Sequence, residues 1–166
     1  SFGECITLYS IVDGKRSTLK RVFGFEKSLG MLYQYATAFM NMKMHNHEYK
    51  MLAYEVHISE CGIDLPKLDV LVQQHAQKWL QRIFHHTLSN QFDPITAIDA
   101  LPRVQQNINA LLLSVLEEMF VRYDDIQTMR FVISYFVQNL VEAVILTIVK
   151  LYNPGKCSDW PKLIEH

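Results

Sequence analysis

The sequence predicts a mainly all-α protein, a single-domain multi-helix bundle around a central hydrophobic C-terminal helix, with a short N-terminal β-hairpin. Three observations lead to this fold class. Apolar residues recur every three to four positions through most of the chain, which is the period of an amphipathic helix. Residues 131–149 are almost wholly apolar. Near the N-terminus, Asp13-Gly14 separates two runs rich in β-branched and aromatic residues.

The predicted organisation is one domain, residues 1–166, in three parts. Residues 1–27 form a hairpin extension, residues 28–153 form the helical core, and residues 154–166 form a C-terminal tail. No internal repeat, low-complexity tract or Pro/Gly/Ser-rich linker divides the chain. A chain of about this length buries roughly 70% of its unfolded surface, so one hydrophobic core is expected.

Turn and capping residues predict the N-terminal elements. Asp13-Gly14 is typical of a tight two-residue hairpin turn. Ser28 precedes an apolar stripe that predicts a first helix ending at about Lys43. Asn46 is a favourable N-cap for a second helix, which Gly62 ends. The apolar positions of that second helix are Leu52, Ala53 and Val56.

Further helices are predicted along the rest of the chain. Asp64-Leu65-Pro66 starts a long amphipathic helix, because proline is tolerated in a first turn. Asp93-Pro94 starts a short helix, and Pro102 starts another long one. Asp124 with Gln127 fits a capping box for the last helix, which Asn153-Pro154-Gly155 ends. The apolar stripes of the two long helices are Leu68, Val72, His75, Trp79, Ile83 and His86, and Val104, Ile108, Leu111, Val115 and Met119.

The last helix contains residues 131–149, a stretch that carries a single formal charge. Its length would allow it to cross a membrane. Gln138, Asn139 and Glu142, however, lie in the middle of the helix, where polar and charged groups are costly in hydrocarbon. We therefore expect a helix buried inside the protein and no membrane span.

Charge and cysteine content narrow the classes of partner and compartment. The chain has 16 Lys+Arg and 17 Asp+Glu, so it lacks the excess positive charge that draws proteins to nucleic acid, and no nucleic-acid partner is expected. Its three cysteines are far apart and form no C-x-x-C pair, which favours an intracellular location, cytoplasmic or nuclear.

Five cations lie close together near the N-terminus. They are Lys15, Arg16, Lys20, Arg21 and Lys27. They form a candidate patch for contact with an anion or a phosphoinositide head group, or for docking an acidic partner. The sequence favours a solvated hairpin with no binding role over this functional interpretation, because charge runs are weak signals.

The stretch FMNMKMHNHEYKM, residues 39–51, raises the question of a metal site, since thioethers and imidazoles suit Cu(I). Methionine is also the ordinary filler of irregular cores. The zinc motif H-E-x-x-H fails here because Met51 stands where the second histidine is needed. We predict packing, with no metal or cofactor residues.

The order MKMHNHEYKMLAYEV, GIDLPKLDVLVQQHAQKWLQRIF, ALPRVQQNINALLLSVLEEM is similar to the C-terminal half of nuclear-receptor ligand-binding domains. In that family a Glu-Tyr helix precedes a long helix and a Leu-Pro-containing one. The residues from Asp125 onward have no counterpart there. The Trp-Leu helix and the long helices after it resemble helical-rod vesicle-tethering proteins, without a specific motif. We assign the chain to neither family.

The predicted function is a non-enzymatic helical protein-protein interaction or scaffold module, whose partner is another protein or a second copy of the chain. No catalytic residue is predicted, because no serine or cysteine lies in a recognisable nucleophile elbow. The alternative is a sensor that binds an apolar small molecule or lipid in a pocket between helices, with Gln138, Glu142 and His75 as its polar groups. A pH switch at His75 and His86 is left open.

Overall fold

The structure is a computed structural model that describes residues 4–84 and 99–152. Within these ranges the protein is mainly helical, with a small two-stranded antiparallel sheet at the N-terminus, which confirms the predicted fold class. Four predicted features lie outside the described residues, namely the helix at Asp93-Pro94, the position of His86, the helix end at Asn153-Pro154-Gly155 and the tail at 154–166.

The hairpin consists of β1 (Glu4–Val12) and β2 (Lys15–Phe23). Asp13 and Gly14 both have positive φ, 51° and 75°, as a tight hairpin turn requires. The strands pair antiparallel, and two shifts in register leave Cys5 without a partner in β2 and Leu19 without one in β1. The predicted hairpin is therefore confirmed, with one irregularity in each strand.

Helix α1 (Leu29–Phe39) begins where the sequence predicts, because the Ser28 hydroxyl accepts a 3.1 Å hydrogen bond from the Met31 amide. It ends about four residues earlier than expected. Asn41 adopts a left-handed φ of 58°, and the Nε of Arg130 donates a 2.9 Å hydrogen bond to the Met40 carbonyl. A distant side chain thus satisfies a carbonyl at the helix end and stabilises the early stop.

Helix α2 (Lys50–Val56) is followed by a 3₁₀ turn at Ile58–Cys61, and Gly62 then takes a left-handed φ of 66°. The prediction of Asn46 as N-cap is wrong. The residue before α2 is Tyr49, whose side chain makes no capping bond, and Asn46 lies in the irregular segment that precedes it.

Three longer helices complete the described structure: α3 (Leu65–Phe84), α4 (Leu101–Glu118) and α5 (Ile126–Tyr152). Asp64 accepts a hydrogen bond from the Lys67 amide at the start of α3, as expected of a cap. At the start of α5 the predicted cap is wrong by one residue. The Asp125 carboxylate accepts a 3.4 Å hydrogen bond from the Thr128 amide, whereas Asp124 forms an ion pair with Arg122 at 2.6 Å.

Helix α5 is central, since it packs against α1, α2, α3 and α4. Its fully buried side chains meet those of Leu32 in α1, Met51 in α2 and Leu68 in α3 within one hydrophobic cluster. The fully buried residues of α5 include Val132, Ile133, Phe136, Val137, Leu140 and Val144.

Candidate functional site

The polar residues of α5 are paired or solvated. The Tyr33 hydroxyl donates a 2.6 Å hydrogen bond to Gln138, and the Asn139 amide donates to Glu55 at 3.1 Å and to the Tyr135 carbonyl at 2.8 Å. Glu142 is exposed. The polar groups therefore lie along one edge of α5 and tie it to α1 and α2, which compensates for their partial burial.

Helix α5 is long and apolar enough to cross a membrane by length and composition, and half of its most apolar window is buried inside the protein. A central helix of a globular core has the same property. Gln138 and Asn139 have partners on neighbouring helices and Glu142 is exposed, and the absence of a membrane span stays a prediction.

Two tyrosines along this edge have hydroxyl pKa values that are raised above the usual value for tyrosine. Burial raises the pKa of the Tyr33 hydroxyl to about 12, and the charges of Glu55 and Glu142 add to the rise. Burial, followed by a 2.6 Å hydrogen bond to Asp69, raises the pKa of Tyr135 to about 12. Both hydroxyls therefore stay protonated and act as hydrogen-bond donors between helices.

The two cysteines that the structure describes are weak nucleophiles. Burial raises the pKa of the Cys5 thiol to about 11, and its sulfur donates a 3.3 Å hydrogen bond to the Val22 carbonyl. Burial, with Glu60 next in effect, also raises the pKa of Cys61. Since the thiolate is the reactive form, neither position is activated for covalent catalysis.

The three predicted pocket residues do not meet at one site. His75 lines a cavity between α3 and α4 of about 310 Å³, and its ring packs edge-on against Phe136 at 5.6 Å. Gln138 and Glu142 do not line that cavity. Burial lowers the pKa of His75, and the charges of Lys78 and Arg82 lower it further, which favours the neutral imidazole.

The predicted basic patch is divided by the hairpin. Lys15 and Lys20 lie opposite even-numbered residues of β1, whereas Arg16 and Arg21 lie opposite odd-numbered ones. Because opposed residues share a face of the sheet, the lysines lie on one face and the arginines on the other. Lys27 follows in a 3₁₀ turn, where its carbonyl accepts a 3.1 Å hydrogen bond from the Trp79 indole.

The hairpin is anchored at its base and exposed at its tip. Val22 is buried in the core, and the Lys20 ammonium lies 4.9 Å from the centre of the Phe84 ring. Near the turn, Ile11 and Val12 are 71% and 64% exposed. The guanidinium of Arg16 stacks 3.4 Å above the centre of the exposed Tyr9 ring, so the tip combines apolar and cationic groups.

A second apolar surface lies on α2 and consists of Leu52, Ala53 and Val56, the apolar positions that the sequence shows in the second helix. These residues face outward; Leu52 is 57% exposed and Val56 is 74% exposed. Met51 is instead the buried residue of α2, and Tyr54 packs edge-on against Phe131 of α5. Both sides of α2 are apolar, so periodicity alone could not choose between them.

The methionine-rich stretch contributes to the core. Met40 and Met51 are fully buried, and Met42 and Met44 are partly buried against the same hydrophobic cluster. His47 accepts a hydrogen bond from the Lys43 amide. Within residues 4–84 and 99–152, no three His, Cys, Asp or Glu side chains come together as a metal-binding group.

These features define a mainly helical protein with a projecting basic and apolar hairpin and a cavity between two helices. No protein-family model, curated protein or solved structure matches the chain.

Proposed function

We propose that this protein is a non-enzymatic interaction module that docks an acidic, extended segment of a partner protein on its N-terminal hairpin. The observation that carries this proposal is the exposure of the hairpin tip. A two-stranded ribbon is marginally stable by itself, and the residues around Asp13-Gly14 make few contacts with the helical core. Association with a partner strand would stabilise such a ribbon.

Backbone geometry supports an extended partner. Among the described residues the sheet has two strands, so no third strand pairs with the outer edge of β1 or of β2. Such edges accept an added strand through main-chain hydrogen bonds, while alternate side chains give specificity. Ile11 and Val12 lie on opposite faces of the ribbon and offer apolar contact on both.

Charge supports an acidic partner. Residues 4–23 contain four cations and two carboxylates, whereas the whole chain has a net charge of −1. The hairpin is therefore a basic element on an otherwise acidic protein. The Arg16 guanidinium stacks on the Tyr9 ring and is thereby held at the surface, where it can form bidentate hydrogen bonds with a partner carboxylate.

The test is a titration of the isotope-labelled protein, followed by NMR, with a synthetic peptide of alternating Thr and Glu. We expect chemical-shift changes at the amides of β1 and β2, and much weaker changes with the matched Thr-Lys peptide. The double variant Lys15→Glu, Arg16→Glu should lose the interaction. The control variant Arg103→Glu, Lys150→Glu makes the same change in charge at exposed positions on α4 and α5 and should retain it.

Three outcomes would overturn the proposal. One is an equal response to the acidic and basic peptides. Another is binding of the hairpin to vesicles containing phosphoinositide without any response to the acidic peptide, which would assign the patch to a membrane surface. The third is a hairpin-dependent dimer in analytical ultracentrifugation, which would make a second copy of the chain the occupant.

A further inference from the structure

The cavity between α3 and α4 arises because these two helices make little direct contact with each other. The 3₁₀ turn at Phe25–Lys27 contacts both helices and holds them at one end. The volume of about 310 Å³ lies at the lower end of the range for small-molecule sites.

The cavity has an apolar wall. Trp79 on α3 and Val104 and Ile108 on α4 are buried core residues that also line the cavity, and Leu111 adds a partly buried side chain. These side chains offer an aromatic face and branched aliphatic groups to a ligand. An apolar ligand body would gain free energy mainly by removing its own surface from water, because the side chains of this wall are already largely buried.

The rim of the cavity on α3 is cationic. His75, Lys78 and Arg82 follow one another at spacings of three and four, so they lie on one side of the helix. Within the described part of the chain, neither Lys78 nor Arg82 forms an ion pair with a carboxylate. The Arg82 guanidinium instead lies 5.6 Å from the centre of the Trp79 ring, next to the apolar wall.

Glu26 is the one carboxylate among the lining residues, and it limits the charge that the cavity can accept. Its side chain folds back over Gly24, where a Cβ would come within 2.5 Å of the carboxylate oxygen. With His75 neutral, the two positive charges of Lys78 and Arg82 exceed the single negative charge of Glu26 by one. A single anionic group therefore matches the site better than a polyphosphate.

We propose that this cavity binds an amphipathic organic monoanion, a carboxylate attached to an apolar acyl or aromatic body. The carboxylate pairs with Lys78 and Arg82, and the apolar body lies against Trp79, Val104 and Ile108. The neutral imidazole of His75 is placed to exchange a hydrogen bond with the head group. This site is independent of the hairpin and goes beyond its proposed docking role.

Decanoate is a suitable probe, with decanol and decylamine as uncharged and cationic controls of the same chain length. In a Trp160→Phe background, the fluorescence of Trp79 reports on the cavity directly. We expect a saturable change with decanoate and binding of the two controls that is at least about tenfold weaker, which corresponds to about 1.4 kcal/mol.

Substitutions test whether the change in Trp79 fluorescence depends on the cationic rim of the cavity. Lys78→Gln and Arg82→Gln are changes at exposed positions, and each should weaken decanoate binding by about tenfold. Lys150→Gln removes an exposed cation on α5 that does not line the cavity, and it should leave the affinity unchanged. The proposal is overturned by an absence of saturable change, by equal affinity for decanol, or by equal effects of the rim and control variants.

Discussion

The Tyr33 hydroxyl of α1 donates a 2.6 Å hydrogen bond to the Gln138 side chain of α5. The two residues are 105 positions apart in the sequence. The bond gives a polar group in the long apolar helix α5 a partner from the protein itself. It also fixes how α1 lies against α5, because a hydrogen bond of this length tolerates little displacement.

We expect Tyr33→Phe to reduce the free energy of unfolding by about 1 to 3 kcal/mol, because the partly buried Gln138 carbonyl loses its donor. Urea denaturation would measure the change. Tyr49→Phe is the matched control, since this hydroxyl belongs to an exposed side chain, and it should change stability by less than about 0.5 kcal/mol. Equal effects of the two variants would contradict the structural role of the pair.

Leu140 is fully buried at the centre of the bundle, so we expect Leu140→Ala to destabilise the protein by about 2 to 5 kcal/mol through lost burial and a residual cavity. Ile145→Ala on the same helix should cost clearly less, because Ile145 is 42% exposed. Thermal and urea unfolding would give both values. A requirement for detergent to keep the protein in solution would contradict the buried position of α5 and favour a membrane span.

His75 predicts a pH dependence of stability. Its pKa in the folded protein is lowered from 6.5, so below that pH the unfolded chain binds more protons than the folded one. At pH values well above 6.5, His75 therefore does not lower the free energy of unfolding. As the pH falls through 6.5 and below it, His75 lowers this free energy increasingly. His75→Gln should lose less stability than the parent protein between about pH 7 and pH 5.

The comparison of the two proteins at each pH isolates His75 from the other histidines, which both share. Urea unfolding at several pH values would provide the two profiles. Parallel profiles would show that the folded state does not disfavour protonation of His75.

The Met-rich stretch gives a prediction about metal. Met40 and Met51 are fully buried side chains of the hydrophobic cluster, so we expect a copper or zinc chelator to leave the melting temperature unchanged. Differential scanning calorimetry with and without chelator would measure this. A fall in melting temperature would contradict packing as the main role of the stretch, because a metal bound to the native state adds stability.

Sequence patterns predicted the elements whose signals are local. The Asp13-Gly14 turn, the Ser28 cap and the start of α3 at Asp64-Leu65-Pro66 all lie where they were expected. Each depends on backbone preferences or hydrogen bonds within a few residues, so neighbouring sequence contains the necessary information. The long apolar stretch that became α5 was identified by length and composition in the same way.

Predicted helix ends were wrong where a residue distant in the sequence bonds to the helix end, or where two neighbouring residues are equally suitable as the cap. Helix α1 ends early where Arg130 bonds to the Met40 carbonyl. Asp124 and Asp125 are both suitable caps, and the pairing of Asp124 with Arg122 leaves Asp125 at the helix start. Propensity does not distinguish such cases, because the deciding contact lies outside the helix.

The sequence by itself determined the mainly helical class, the hairpin and the candidate residues, including His75 and the five cations from Lys15 to Lys27. Only the tertiary structure decided that the side of α3 with His75, Lys78 and Arg82 lines a cavity, that Gln138 faces Tyr33, and that Leu52, Ala53 and Val56 of α2 face outward. Helical periodicity specifies which side chains share a face, but the partner of that face depends on how helices distant in the sequence pack together.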